Sequence, residues 1–170
     1  MYLNIWVPGE INPGSEIKHT LFWVPYHSFI QGSINQRLYN GAVLAADQNI
    51  VVVMVALRLG VLGNLYLPPM AMGNQALLDL RLALEWYRNN SAGAFGAKKD
   101  EIVLGGHSSG TALLGMFALQ GYSRGLYNGL WLFSGSPFYS RWGTMSPMMA
   151  EAKVKEVRDQ VRMRRDSNSK

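Results

Sequence analysis

The chain has no cysteine in its 170 residues. That excludes a disulfide framework, thiolate chemistry and any cysteine-ligated zinc site, but leaves the compartment open. Histidine is nearly as scarce, with only His19, His27 and His107. No cluster with metal-ligand or cofactor-binding spacing is visible, so neither metal nor cofactor is expected. Charge is also low, at 16% of residues. No long hydrophobic run exists. The longest, Ile50 to Leu57, is stopped by Arg58 and is far too short to span a bilayer. The N-terminus lacks the basic region and long apolar stretch of a signal peptide. The net charge of +5 is uneven. Between Glu151 and Lys170 seven basic residues face four acidic ones, which leaves little excess on the body of the chain. Nucleic-acid binding is therefore not expected.

What is present suits one globular domain with a real core: 48% of residues are hydrophobic. Tyr2 to Val7 alternates like a strand, and Leu21 to Val24 reads as a second. Pro25 to Ser33 is a loop. Asn35 to Asp47 is predicted helical, with Leu38, Ala42 and Ala45 on one face. Asn49 to Ala56 is β-branched and apolar, as expected of a strand buried on both faces of a parallel sheet. Gly60 to Met72 is read as a loop from its glycines and prolines. Asn74 is a candidate N-cap for a helix ending near Asn90, with Leu77, Leu80, Leu84 and Tyr87 as its core stripe. In that helix Asp79 and Arg88 suit the macrodipole. Glu101 to Gly105 and Leu130 to Phe133 are predicted as buried strands, and Thr111 to Gln120 as a helix. Met148 to about Arg165 reads as a basic helix with Val154, Val157 and Val161 inward. Its charges are mixed in sign, as on a solvated face. Asp166 to Lys170 is expected to be disordered. Alternating strands and helices imply an α/β fold with a mostly parallel sheet flanked by helices.

Chemistry concentrates in Gly106-His107-Ser108-Ser109-Gly110. A bare G-x-S-x-G is weak, with a chance expectation of roughly 0.14 in a chain of this composition. A strand before it and a helix after it make it a nucleophile elbow. There a strained turn lifts Ser108 toward a helix N-terminus, whose N–H groups stabilise an oxyanion.

Several segments, in order, resemble the type-B carboxylesterases, an α/β-hydrolase family that includes the cholinesterases and the neuroligin adhesion proteins. Tyr2 to Pro8 resembles the family's LYLN-x-(W/Y)-x-P strand. Asn49 to Gly63 resembles N-x-V-V-V-x-V-N-Y-R-L-G-x-x-G, and Gly73 to Trp86 resembles G-N-x-G-L-L-D-Q-x-x-A-L-x-W. Phe95-Gly96 with Ile102 to Gly110 resembles F-G-G-D-P-x-x-(I/V)-T-L-x-G-E-S-A-G. Ser134-Gly135-Ser136 matches S-G-S. The likeness covers roughly Met1 to Trp142.

The resemblance implies a partial α/β-hydrolase domain over residues 1–147, followed by the basic helix and tail, 148–170. It implies ester hydrolysis of a small molecule with Ser108 as nucleophile. Ser109 N–H and the Tyr26–Ser28 loop, including His27 and Ser28, would be the oxyanion donors. It also suggests a secreted or ER-lumenal setting.

Departures from the pattern qualify this. His107 stands where the family has Glu, and Ser109 where it has Ala. The family's H-G-G-(G/A)-F aligns with Pro25-Tyr26-His27-Ser28-Phe29, so two glycines are replaced. No histidine follows Ser108, and the later carboxylates all lie beyond residue 150. The family order of Ser, then acid, then His is not completed. The sequence is therefore expected to be a central piece of the domain with impaired chemistry. The alternatives are a non-catalytic domain that binds a partner protein, and a truncated gene product. His27 as a base on Ser108 is a further option, and His107 is read as structural.

Overall fold

The computed structural model describes residues 1–10, 18–138 and 144–167. The tail beyond 167 and the loop around Trp142 lie outside them. Five strands form one sheet among these residues: β1 (Leu3–Trp6), β2 (Lys18–Val24), β3 (Val51–Val55), β6 (Ala97–His107) and β7 (Gly129–Phe133). Their order is β1-β3-β2-β6-β7. Only the β1–β3 pair is antiparallel; β2–β3, β2–β6 and β6–β7 are parallel. The expected α/β class with a mostly parallel sheet is what forms.

β3 is buried at all five positions, as its unbroken β-branched run requires. Helix α3 (Gln75–Phe95) covers one sheet face through Leu77, Leu80, Leu84 and Tyr87, all buried as the spacing predicts. It runs past Asn90 to Phe95, whose ring stacks on Tyr87 with centroids 6.0 Å apart. Gly96, at φ 60°, then ends it. Asn74 stands at the N-cap position but makes no side-chain cap; its contribution is a left-handed φ of 60°. Asp79 and Arg88 serve tertiary contacts rather than the dipole. Asp79 is gripped by Arg58 through Nε at 2.9 Å, the terminal nitrogen at 2.7 Å and the backbone N–H at 3.1 Å. Burial pushes the Asp79 carboxyl up, and the Arg58 bonds outweigh it and hold it below its usual range. Arg88 reaches from α3 to the Lys99 carbonyl and Asp100.

Four other expectations are corrected. Asn35 to Asp47 is split into a 3₁₀ turn (Arg37–Tyr39) and α1 (Ala42–Gln48), leaving Leu38 and Ala42 exposed and Ala45 buried. The break falls at Gly41, where a Cβ would sit 2.7 Å from Val52 and 2.8 Å from Trp6. Gly60 to Met72 is not plain loop. It holds α2 (Gly60–Asn64) and an antiparallel hairpin, β4 (Tyr66–Leu67) with β5 (Ala71–Met72), too short to leave a periodic signal. β7 is an edge strand rather than a buried one, and Trp131 is 50% and Leu132 41% exposed. Helix α5 (Pro147–Ser167) leaves Val157 and Val161 exposed and Val154 only half-buried; it touches the hairpin strand β4.

Candidate active site

β6 ends at His107 and helix α4 (Ser109–Ala118) begins two residues later. Ser108 alone makes the turn, at φ 57° and ψ −121°. This is a conformation L residues avoid, at a cost of about 1–3 kcal/mol. The surroundings enforce it. A Cβ on Gly110 would lie 2.0 Å from the Val24 carbonyl oxygen, and one on Gly135 would lie 2.3 Å from that of Ser108. Both glycines are therefore steric requirements of the elbow. Ser108 N–H donates to the Phe133 carbonyl at 3.0 Å. Buried Thr111 seals the corner: its hydroxyl lies 2.6 Å from the Gly106 carbonyl and 2.8 Å from that of Phe133, and accepts from Phe133 N–H at 3.1 Å. Ser108 is half-buried at the carboxyl end of the parallel strands, and no side chain among the described residues hydrogen-bonds its hydroxyl.

The Pro25–Ser33 loop lies directly against this turn. Tyr26 carbonyl accepts from Gly110 N–H at 3.3 Å, and Phe29 N–H donates to the buried Ser109 hydroxyl at 3.0 Å. Gly60 N–H holds the Phe29 carbonyl at 2.7 Å. Ser28 and Phe29 both take φ 57°, the left-handed region that glycine favours. Tyr26, standing where the family has glycine, turns its side chain into the core. Its hydroxyl donates to the Val55 carbonyl at 2.5 Å and accepts from Leu57 N–H at 2.9 Å. Burial pushes this phenol up to about 12.

These contacts sort the expected oxyanion donors. His27 N–H is occupied by the Gln31 carbonyl at 3.2 Å. Ser109 N–H, at the first position of α4, and Ser28 N–H have no partner among the described residues. Ser108, Ser109 and the Ser28–Phe29 corner are thus brought together, while the His27 amide is turned to its own loop. The Ser109 hydroxyl's role as a tether escaped the sequence, where only its N–H drew notice.

The histidines fall in two places. His19 pairs with Glu101 far from the elbow, near the start of β2. His27 and His107 meet edge-on, with ring centroids 5.5 Å apart. His27 Nε2 lies 3.2 Å from the Tyr39 hydroxyl. No imidazole is bonded to Ser108, so the His27–Ser108 base pairing is not formed. Beyond Ser108, Glu156 pairs with Lys153 and Asp159 with Arg158 along α5. An open groove of about 530 Å³ runs beside the elbow, with Trp23, Tyr39, Met54, His107, Trp131 and Phe133 in its lining.

Ser108 thus sits strained between a parallel strand and a helix, beside two amide N–H groups without a partner among the described residues. The model of the carboxylesterase family matches residues 1–170. The chain belongs to the carboxylesterase family. It is 38% identical over 149 residues to acetylcholinesterase of Bungarus fasciatus, covering 86% of this chain and 24% of that protein. It is 36% identical over 162 residues to acetylcholinesterase 4 of Caenorhabditis briggsae, covering 95% and 26%. It is 40% identical over 147 residues to acetylcholinesterase of Gallus gallus, covering 85% and 18%. The chain thus spans about a quarter of the length of these relatives or less. No described helix is long and apolar enough to cross a membrane.

Proposed function

We propose that residues 1–147 are the nucleophile-bearing segment of a carboxylic ester hydrolase, with 148–170 a solvated basic extension. The observation that carries the reading is Ser108 at φ 57° in an elbow whose glycines admit no Cβ. Ser108 Oγ attacks the carbonyl carbon of a small ester, and its proton passes to a base. The tetrahedral oxyanion is held by the Ser109 and Ser28 N–H groups. The C–O bond to the alcohol then breaks, leaving an acyl-serine that water hydrolyses.

The weak part is the base. No imidazole or carboxylate among the described residues is bonded to Ser108. General-base catalysis is worth about 10²–10⁴-fold, so this chain alone turns over slowly at best. A fluorophosphonate probe, which phosphonylates a primed serine, tests the assignment. Labelling of the chain that disappears in Ser108→Ala is the expected result. Labelling equal in the two proteins removes the hydrolase reading.

A second reading is a cholinesterase-like binding domain without catalysis. It is favoured by the loop amides already satisfied inside the protein, His27 N–H by Gln31 and Phe29 N–H by Ser109. It requires no labelling and a partner protein captured equally by wild type and Ser108→Ala.

A further inference from the structure

Two histidines 80 positions apart in sequence converge in space. His27, in the Pro25–Ser33 loop, and His107, at the end of β6, meet edge-on with ring centroids 5.5 Å apart. We propose that His27 and His107 form a binding site for a divalent first-row transition metal ion, of which zinc is the test case.

An ion bonded to one nitrogen of each ring at about 2.1 Å places the ring centres roughly 5–6 Å apart. The observed centroid separation of 5.5 Å falls in that range. With His27 Nε2–H donating to the Tyr39 hydroxyl, the lone pair is on Nδ1, free to ligate. A hydrogen bond from the far ring nitrogen is the usual way a ligating histidine is oriented. His107 is exposed, and neither of its ring nitrogens has a partner among the described residues. Imidazole pairs suit zinc, nickel and copper rather than magnesium or calcium. Among the described residues no three His, Asp or Glu side chains cluster, so water completes the coordination. Such an ion ties the Pro25–Ser33 loop to the elbow from the groove side. The proposal does not depend on the chemistry of Ser108.

Calorimetric titration of the 170-residue chain with zinc chloride tests it. One saturable site is expected. His27→Gln and His107→Gln should each weaken binding at least tenfold. Tyr39→Phe, at a positioning residue, should weaken it by about tenfold or more. His19→Gln, the remaining histidine, should leave it unchanged. Absence of saturable binding overturns the site. So does undiminished binding in either elbow-side variant, or loss in His19→Gln. Far-UV circular dichroism accompanies each variant. If His27→Gln unfolds, exposed His107→Gln decides alone.

Discussion

Replacing Tyr26 by Phe removes one oxygen and leaves two buried backbone groups without partners. Tyr26 is 3% exposed, and its hydroxyl serves both the Val55 carbonyl and the Leu57 N–H at the carboxyl end of β3. An orphaned buried group costs about 1–3 kcal/mol, so the variant, with two of them, should lose roughly 2–6 kcal/mol at pH 7. A second signature lies in alkali. The phenols of Tyr26 and Tyr87 are both pushed up by burial, from 10.0 to about 12. In that window the unfolded chain has released protons that the native chain retains. Stability therefore falls as pH rises from about 10 to 12, by about 1.4 kcal/mol per pH unit for each tyrosine. Below 10 neither contributes a slope. Tyr26→Phe should lower the starting stability and also remove half of that tyrosine slope. Urea unfolding at low micromolar protein, followed by tryptophan fluorescence at pH 7, 10.5 and 11.5, reads both. A loss below about 0.5 kcal/mol with an unchanged alkaline slope would refute the buried double hydrogen bond. The Tyr26 carbonyl also holds Gly110, so fluorophosphonate labelling of the variant should slow as well.

The elbow strain predicts an inverse relation between stability and reactivity. Ser108→Gly should raise the urea midpoint, by about 1 kcal/mol or more in free energy, while abolishing labelling. A destabilised Ser108→Gly would mean the φ of 57° is not strained in this setting. The exposed β7 edge predicts self-association, since an apolar edge strand invites pairing with another chain. Leu132→Lys should shift sedimentation velocity toward monomer, and an unchanged distribution would place the contact elsewhere.

The parts legible in the sequence are those fixed by local rules. G-x-S-x-G between a strand and a helix demands a strained serine, and Ser108 has that backbone. Leu77, Leu80, Leu84 and Tyr87 repeat with the helical period, and all four are buried. The illegible parts depend on partners distant in sequence. An apolar run such as Leu130 to Phe133 reads the same whether or not something covers it, so the exposure of β7 left no trace. The α5 valines show the same ambiguity: their spacing defines a stripe without saying what meets it. Asp79 could be placed early in α3, but its grip on Arg58 needed the turn that brings the end of β3 back over the helix. Tyr26 looked like damage to a glycine loop. Its use as a buried strut for Val55 and Leu57 is a fact of the third dimension.

That last point changes how the missing glycines weigh on the chemistry. Glycine in an oxyanion loop is needed because it adopts positive φ without strain. Here Tyr26 and His27, aligned with the two glycines, do not take positive φ; the next two residues, Ser28 and Phe29, adopt φ 57° instead. Each carries a penalty of order 1–3 kcal/mol, and such backbone persists only where its surroundings over-determine it. Three bonds do so: Phe29 N–H to the Ser109 hydroxyl, Gly60 N–H to the Phe29 carbonyl, and Gly110 N–H to the Tyr26 carbonyl. Ser109 supplies the first of these through its hydroxyl oxygen. The strained corner and Ser109 are therefore coupled: the Ser109 hydroxyl holds the Ser28–Phe29 backbone against the elbow. A loop eroded without constraint would relax to negative φ and leave the Ser109 hydroxyl to water. The retained strain sits beside Ser108, which is strained as well. That placement supports the proposed hydrolase reading over the binding-domain one, and under that reading the base, rather than the oxyanion loop, limits the rate.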